Sequence, residues 1–191
     1  MLYVYEWFFP VVWVAYIVYW QIAAAGAKVT ERIEPLASRI FRTLLLLAGI
    51  LLISWPWPIP VPWLYRHFLA VTAEMFWVGA AITLAGLLFC VWARVTLGRN
   101  WSRSVTIKQD HELITAGPYA RVRHPIYTGL LTGFAGTAIA LAQYRGLLAF
   151  ALIFASLWYK LRLEEKWMRG QFGDTYAEYA RHTAALIPWV L

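Results

Sequence analysis

Five long apolar stretches run through the chain, at approximately 5–25, 41–57, 71–93, 126–143 and 147–163. Each approaches the roughly 17–25 residues a helix needs to cross the hydrocarbon core of a bilayer. They predict an all-α, polytopic integral membrane protein of about five transmembrane helices. Apolar side chains make up 61% of the 191 residues, against roughly 45–50% in soluble domains. The last two stretches are short and separated by a tight turn at 142–146, so they are expected to form a helical hairpin followed by a cytoplasmic C-terminal tail.

The net charge of +7 raises nucleic acid as a partner, and the distribution of Lys and Arg decides against it. Lys28, Arg32, Arg39 and Arg42 lie between the first two stretches, and Arg94, Arg99, Arg103, Lys108, Arg121 and Arg123 lie between the third and fourth. Five more follow from Lys160 onward, whereas the alternate loops hold only Arg66 and Arg145. By the positive-inside rule the amino end is outside and the carboxyl end cytoplasmic. Topology accounts for the charge without nucleic acid. A cleavable secretory signal is the other reading of the first stretch, since Ala23-Ala24-Ala25 resembles a cleavage site. The length of the apolar run and the lack of a basic segment before it argue for a retained span.

One domain, 1–191, is the simplest organisation: a three-helix scaffold at 1–93 and a chemistry-bearing part at 94–191. In the scaffold, Glu6, Gln21 and Glu74 are read as solvated groups at span ends. The run SWPWPIPVPW at 54–63 is expected to cross in an extended, polyproline-like form, with Trp55, Trp57, Trp63 and Tyr65 as an interfacial aromatic belt. Cys90 is the single cysteine, which excludes an intramolecular disulfide and a cysteine-cluster metal site. No metal is expected, because His67 lies on the outer side with Arg66 and His182 is a tail residue with no partner at ligand spacing.

The connector from Arg94 to His124 is the longest polar segment, with turns expected at Gly98-Arg99-Asn100 and Gly117-Pro118. Pro125 biases His124 away from the helical region and suits a first helical turn, so the fourth helix is expected to begin there. Its first turn would offer unpaired N–H groups to an anion. Gly129, Gly133 and Gly136 share one face of that helix, and the packing partner expected for them is the fifth span at Ala151 and Ala155. Glu164 and Glu165 are expected at the cytoplasmic end of the fifth span, returned to the level of His124 and Tyr127. Beyond them Gly173-Asp174 predicts a break before a short final helix.

Several of these residues together resemble a known family. Gly117-Pro118-Tyr119, Arg123-His124-Pro125-x-Tyr127-x-Gly129, Glu164-Glu165, Phe172-Gly173-x-x-Tyr176-x-x-Tyr179 and Ile187-Pro188 are similar to the isoprenylcysteine carboxyl methyltransferase family, related to the phospholipid N-methyltransferases. The resemblance covers roughly 94–191. It implies methyl transfer from S-adenosylmethionine, leaving S-adenosylhomocysteine, to a lipophilic small-molecule or lipidated acceptor, with membrane lipids as further partners. It places cofactor contacts on His111, Glu112, Leu113, Ile114, Tyr119, His124, Pro125, Ile126, Tyr127, Gly129 and Glu164.

On the acceptor side the family's arginine, four residues before the glutamate, is Lys160 here, with Arg162 nearby. Glu165, His124 or a lipid phosphate would take a proton from an amine acceptor, whereas a carboxylate needs no base. The ring faces of Tyr119 and Tyr127 are expected beside the sulfonium. An ethanolamine-type phospholipid N-methyltransferase and a non-catalytic membrane scaffold or sensor are the alternatives. The sequence leaves the acceptor and the oligomeric state open.

Overall fold

In the computed structural model, residues 2–24, 30–54, 60–98, 106–108 and 113–188 are described. Five helices carry the fold: α1 (Leu2–Ala23), α2 (Leu36–Ser54), α3 (Ala73–Leu97), α4 (Pro125–Leu141) and α5 (Tyr144–His182). By length and composition α2, α3 and α5 qualify to cross a membrane, while α4 is apolar but shorter. The chain is thus a helical, polytopic membrane protein. Trp55 and Trp57 of the expected aromatic belt, and Arg99-Asn100 of the expected turn, lie outside the described residues.

Local chemistry sets the helix ends. The Thr72 hydroxyl accepts from the Met75 N–H at 3.2 Å and caps α3, which stops at Gly98, where φ is +55°. Pro125 opens α4 as its first residue. At the far end Ala142 takes a left-handed conformation, and the chain turns into α5 through Gln143. Pro62 begins a short 3-10 turn that ends at Tyr65.

The helices pack as two antiparallel pairs, α3 with α4 and α2 with α5, and α4 also meets α5. Glycine decides the first pair. A Cβ on Gly136 would stand 2.6 Å from the Gly79 carbonyl oxygen, and one on Gly129 would stand 2.5 Å from both the Gly86 oxygen and Cys90 Sγ. The small-residue face of α4 therefore packs on α3, not on Ala151 and Ala155 of α5. The reason lies on α3, where Gly79, Thr83, Gly86 and Cys90 form a complementary face one and two turns apart. Thr83 donates to the Gly133 carbonyl at 3.1 Å, and Cys90 donates to that of Ile126 at 3.2 Å. In the second pair, a Cβ on Gly49 of α2 would meet Ile153 of α5 at 2.6 Å. Trp13 of α1 stacks on Phe134 at 4.3 Å and donates to Thr137 at 3.1 Å.

Two features depart from the expected plan. A two-stranded antiparallel ribbon, β1 (Thr30–Ile33) with β2 (Thr106–Lys108), ties the first connector to the third. Neither strand has an apolar alternation long enough to announce it. Helix α5 also continues past the fifth apolar stretch, and its only non-helical residue is Gly173, at φ +51°. At 1.5 Å per residue, 144–172 spans about 40 Å, more than the roughly 30 Å hydrocarbon core. Glu164 and Glu165 thus lie within a helix rather than at its C-terminus. The break expected at Gly173 is present.

Candidate functional site

The polar residues that the sequence singles out converge where the start of α4 meets the projecting part of α5. His124 precedes α4 and is buried between two carboxylates. Its Nδ1 lies 3.6 Å from Glu164 Oε2, and its Nε2 lies 3.4 Å from Glu165 Oε1. Burial opposes the imidazolium, but the two glutamates outweigh it and raise the pKa above the usual imidazole value. With a carboxylate at each ring nitrogen, the doubly protonated ring satisfies both.

Tyr127, buried one turn into α4, donates its hydroxyl to Glu164 Oε2 at 2.6 Å. Its ring stacks on that of His124, with centroids 5.3 Å apart and planes 5° from parallel. The cation over this ring is the protein's own: Lys160 Nζ lies 5.3 Å from the centroid and 3.7 Å from Glu164 Oε1. Glu164 thus gathers a phenol, an imidazole and an ammonium, yet its side chain remains 23% exposed. Of the two glutamates, its side chain is the more exposed, at 23% against 11% for Glu165.

Glu165 faces the other way. Arg123 donates to it through Nε at 2.7 Å, and Arg169 lies 3.5 Å away. The Arg123 guanidinium also donates to the carbonyls of Ala180 and Thr183. The backbone beside it is zipped to the chain's last described segment, Arg123 N–H to Ala184 at 2.8 Å and His124 N–H to Ala185 at 3.1 Å. The Thr128 hydroxyl donates to Leu186 at 2.7 Å. Ala185 and Leu186 then enter the core beside Tyr127, Leu157 and Leu161. One arginine therefore fixes α5, the tail and the start of α4 together.

The remaining expected residues fall as follows. Tyr119 is buried in the 3-10 turn Gly117–Ala120, and its carbonyl accepts from the Tyr179 hydroxyl at 2.6 Å. Burial first, and then the charge of Glu164, push its phenol pKa up. Pro125 is fully buried, and Leu113, Ile114 and Ile126 are partly buried. His111 and Glu112 lie outside the described residues.

Two expectations are revised. Arg162 is exposed, with its guanidinium 5.9 Å from the Trp158 ring centroid, so it does not join Lys160. The first turn of α4 offers less to an anion than expected. Pro125 has no N–H, and the N–H groups of Tyr127 and Thr128 both go to the His124 carbonyl, at 2.9 and 3.0 Å.

Sequence reading did not single out one group that lies close by. Glu34, just before α2, is buried and accepts from Arg42 of α2 through Nε at 2.9 Å and through Nη2. The Arg42 carbonyl accepts from Ser156 of α5 at 2.7 Å, one turn before Lys160. The available signal was two opposite charges eight residues apart at the head of an apolar helix, which sequence alone cannot distinguish from interfacial charge.

Comparison with known proteins gives a consistent picture. A sequence model described as phospholipid methyltransferase matches residues 75–175, just over half of the chain. Protein-S-isoprenylcysteine O-methyltransferase B of Arabidopsis thaliana is 29% identical over 126 residues, covering 61% of this chain and 62% of that protein. A probable protein-S-isoprenylcysteine O-methyltransferase of Oryza sativa subsp. indica is 32% identical over 117 residues, covering 60% and 61%. The chain therefore spans about six tenths of the length of these relatives. A solved structure of the eukaryotic intramembrane Ras methyltransferase ICMT (isoprenylcysteine carboxyl methyltransferase) aligns with a TM-score of 0.54 at 24% identity. It covers 81% of this chain and 52% of its own, a likeness of fold.

Proposed function

The chain belongs to the phospholipid methyltransferase family, and from that premise we propose that it is an integral membrane methyltransferase, using S-adenosylmethionine to methylate a lipophilic carboxylate of the isoprenylcysteine type. The observation that carries this reading is the accessible carboxylate of Glu164, set among Tyr127, His124 and Lys160 at one end of the helices. The donor set fits the cofactor: an ammonium and ribose hydroxyls both need an acceptor, and Glu164 supplies one.

Bound there, the cofactor would supply an already activated methyl group on a sulfonium. The residues then have only to position and to exclude water. Glu164 holds the cofactor's ammonium or hydroxyls, and Tyr127 and His124 fix that carboxylate. Tyr119 closes the wall from the connector side, alongside Leu113 and Ile114, Ile126 forms the floor at the start of α4, and the buried Pro125 fixes where that helix begins. Gly129 serves the same site indirectly, by letting α4 approach α3. Lys160 takes the acceptor's carboxylate. Glu165, engaged by Arg123 and Arg169, positions His124 and is poorly placed to take a proton.

That last point separates the two acceptor chemistries. An amine headgroup must lose a proton before attack, and the carboxylates of this cluster are already committed to cations. A carboxylate acceptor needs no base. The ethanolamine-type phospholipid is therefore the second reading, favoured by the family's description alone. Lys160, Arg123, Arg169 and Arg42 gather at the end that carries the cluster, which supports a cytoplasmic position for that end and an outside position for the amino end.

Titration calorimetry of the detergent-purified protein with S-adenosylhomocysteine tests the reading. Binding is expected, and Glu164→Gln should weaken it about tenfold or more, the worth of a hydrogen bond to a charged group. A folded protein that binds no S-adenosylhomocysteine would instead be a scaffold that keeps the motif for packing.

A further inference from the structure

The Glu34–Arg42 pair belongs to the half of the chain that reads as scaffold, yet both residues are buried beside the cluster. Arg42 is 9% exposed and Glu34 4%. Charged groups at this depth in a helical membrane protein are costly to bury, and where they occur they mark function. Helix α2 is locked in place here, because Ser156 bonds the Arg42 carbonyl and Ser38 donates to Glu34 at 3.2 Å. Glu34 occupies Nε and Nη2 of the guanidinium. Among the described residues Nη1 makes no hydrogen bond. Ser156, which holds the Arg42 carbonyl at 2.7 Å, stands one turn before Lys160 on α5, so the packing of α2 on α5 brings Arg42 to the level of Lys160.

We propose that Arg42, held by Glu34, is a specificity-determining residue: with Lys160 it forms a two-cation wall that takes the anionic carboxylate of the acceptor and lets go of the neutral methyl ester. This rests on the methyltransferase reading above and deepens it. The chemistry balances. A carboxylate oxygen forms a bond to the methyl carbon as the carbon–sulfur bond of the sulfonium donor breaks, and the electron pair stays on sulfur. The carboxylate's negative charge and the sulfonium's positive charge disappear together, and no proton moves. Two buried cations hold an anion by charge-assisted hydrogen bonds and have no such hold on an ester. With Glu34 holding the Nε and Nη2 side of its fork, Arg42 would offer Nη1 to the acceptor beside the Lys160 ammonium.

The test is equilibrium binding of a fluorescent S-prenyl cysteine with a free carboxylate, and of its methyl ester, to the full chain in detergent micelles. The parent protein should prefer the acid. Removing Arg42 alone strands Glu34 in the interior, so the double variant Glu34→Gln/Arg42→Gln, which keeps an uncharged hydrogen-bonded pair, is measured beside Arg42→Lys. The double variant should lose about tenfold or more of the preference, while its affinity for S-adenosylhomocysteine stays within about twofold. Arg42→Lys should restore part of the preference. An unchanged preference in the folded double variant overturns the proposal, as does a parent protein that does not favour the acid. In either case retained S-adenosylhomocysteine binding leaves the methyltransferase reading standing, and loss of that binding in the parent protein overturns the reading itself.

Discussion

His124 shows how little of a residue's role is contained in its identity. A histidine before a proline predicts a helix start, but the two carboxylates that hold its ring nitrogens come from α5, about forty residues on. Its raised pKa has a consequence for stability. The unfolded chain titrates near the usual imidazole value of about 6.5 and the folded chain above it, so the imidazolium's contribution is fully present below about pH 6.5 and is lost as pH rises through the folded value. Thermal unfolding of the parent and His124→Gln proteins across that range should therefore show a gap that is largest at the acidic end and narrows as pH rises. A gap that widened with pH would mean the ring is held neutral. Glu164 and Glu165, neighbours in sequence, differ as sharply. One gathers Tyr127, His124 and Lys160 and keeps part of its side chain exposed, and the other is an anchor for Arg123.

At the scale of helices, three glycines give predictions of different sign and origin. Gly136→Ala places a methyl 2.6 Å from the Gly79 carbonyl and the Thr83 amide, both backbone atoms that cannot step aside. It should destabilise by about 1–3 kcal/mol or more by wedging α3 from α4. Gly173→Ala meets no atom within 4 Å but must adopt φ +51°, costing about 1–2 kcal/mol through backbone strain alone. Gly170 lies in regular helix with open space around it, so Gly170→Ala should stabilise by about 0.5–1 kcal/mol. Thermal melts of the three variants in one detergent check the set: Gly170→Ala and Gly173→Ala should shift stability in opposite directions, and a shift in the same direction would mean that φ at 173 does not govern the cost.

At the scale of the molecule, the orientation argued from charge can be measured. Cys90 is fully buried and contributes little background to thiol labelling. Tyr144→Cys, at the end bearing the 62–65 turn, should react with an impermeant maleimide added to intact cells. Arg169→Cys, at the end bearing the cluster, should react only after permeabilisation, and the reverse pattern would invert the assigned topology. The helical, membrane-type architecture was legible in the sequence, because an apolar run long enough to cross a bilayer is a one-dimensional property. So were the Pro125 helix start and the Gly173 break, since each follows from the backbone limits of a single residue. The partners were not legible. That the glycine face of α4 meets α3, that Arg123 binds Glu165 and the tail, that Arg162 points away while Lys160 points in, and that Glu34 and Arg42 stand beside the cluster all depend on which helices become neighbours and in what register. A sequence determines what each segment must bury and where it must stop. Only the packed structure decides which segment covers it, because burial is satisfied by any complementary face, and close approach of backbones selects one.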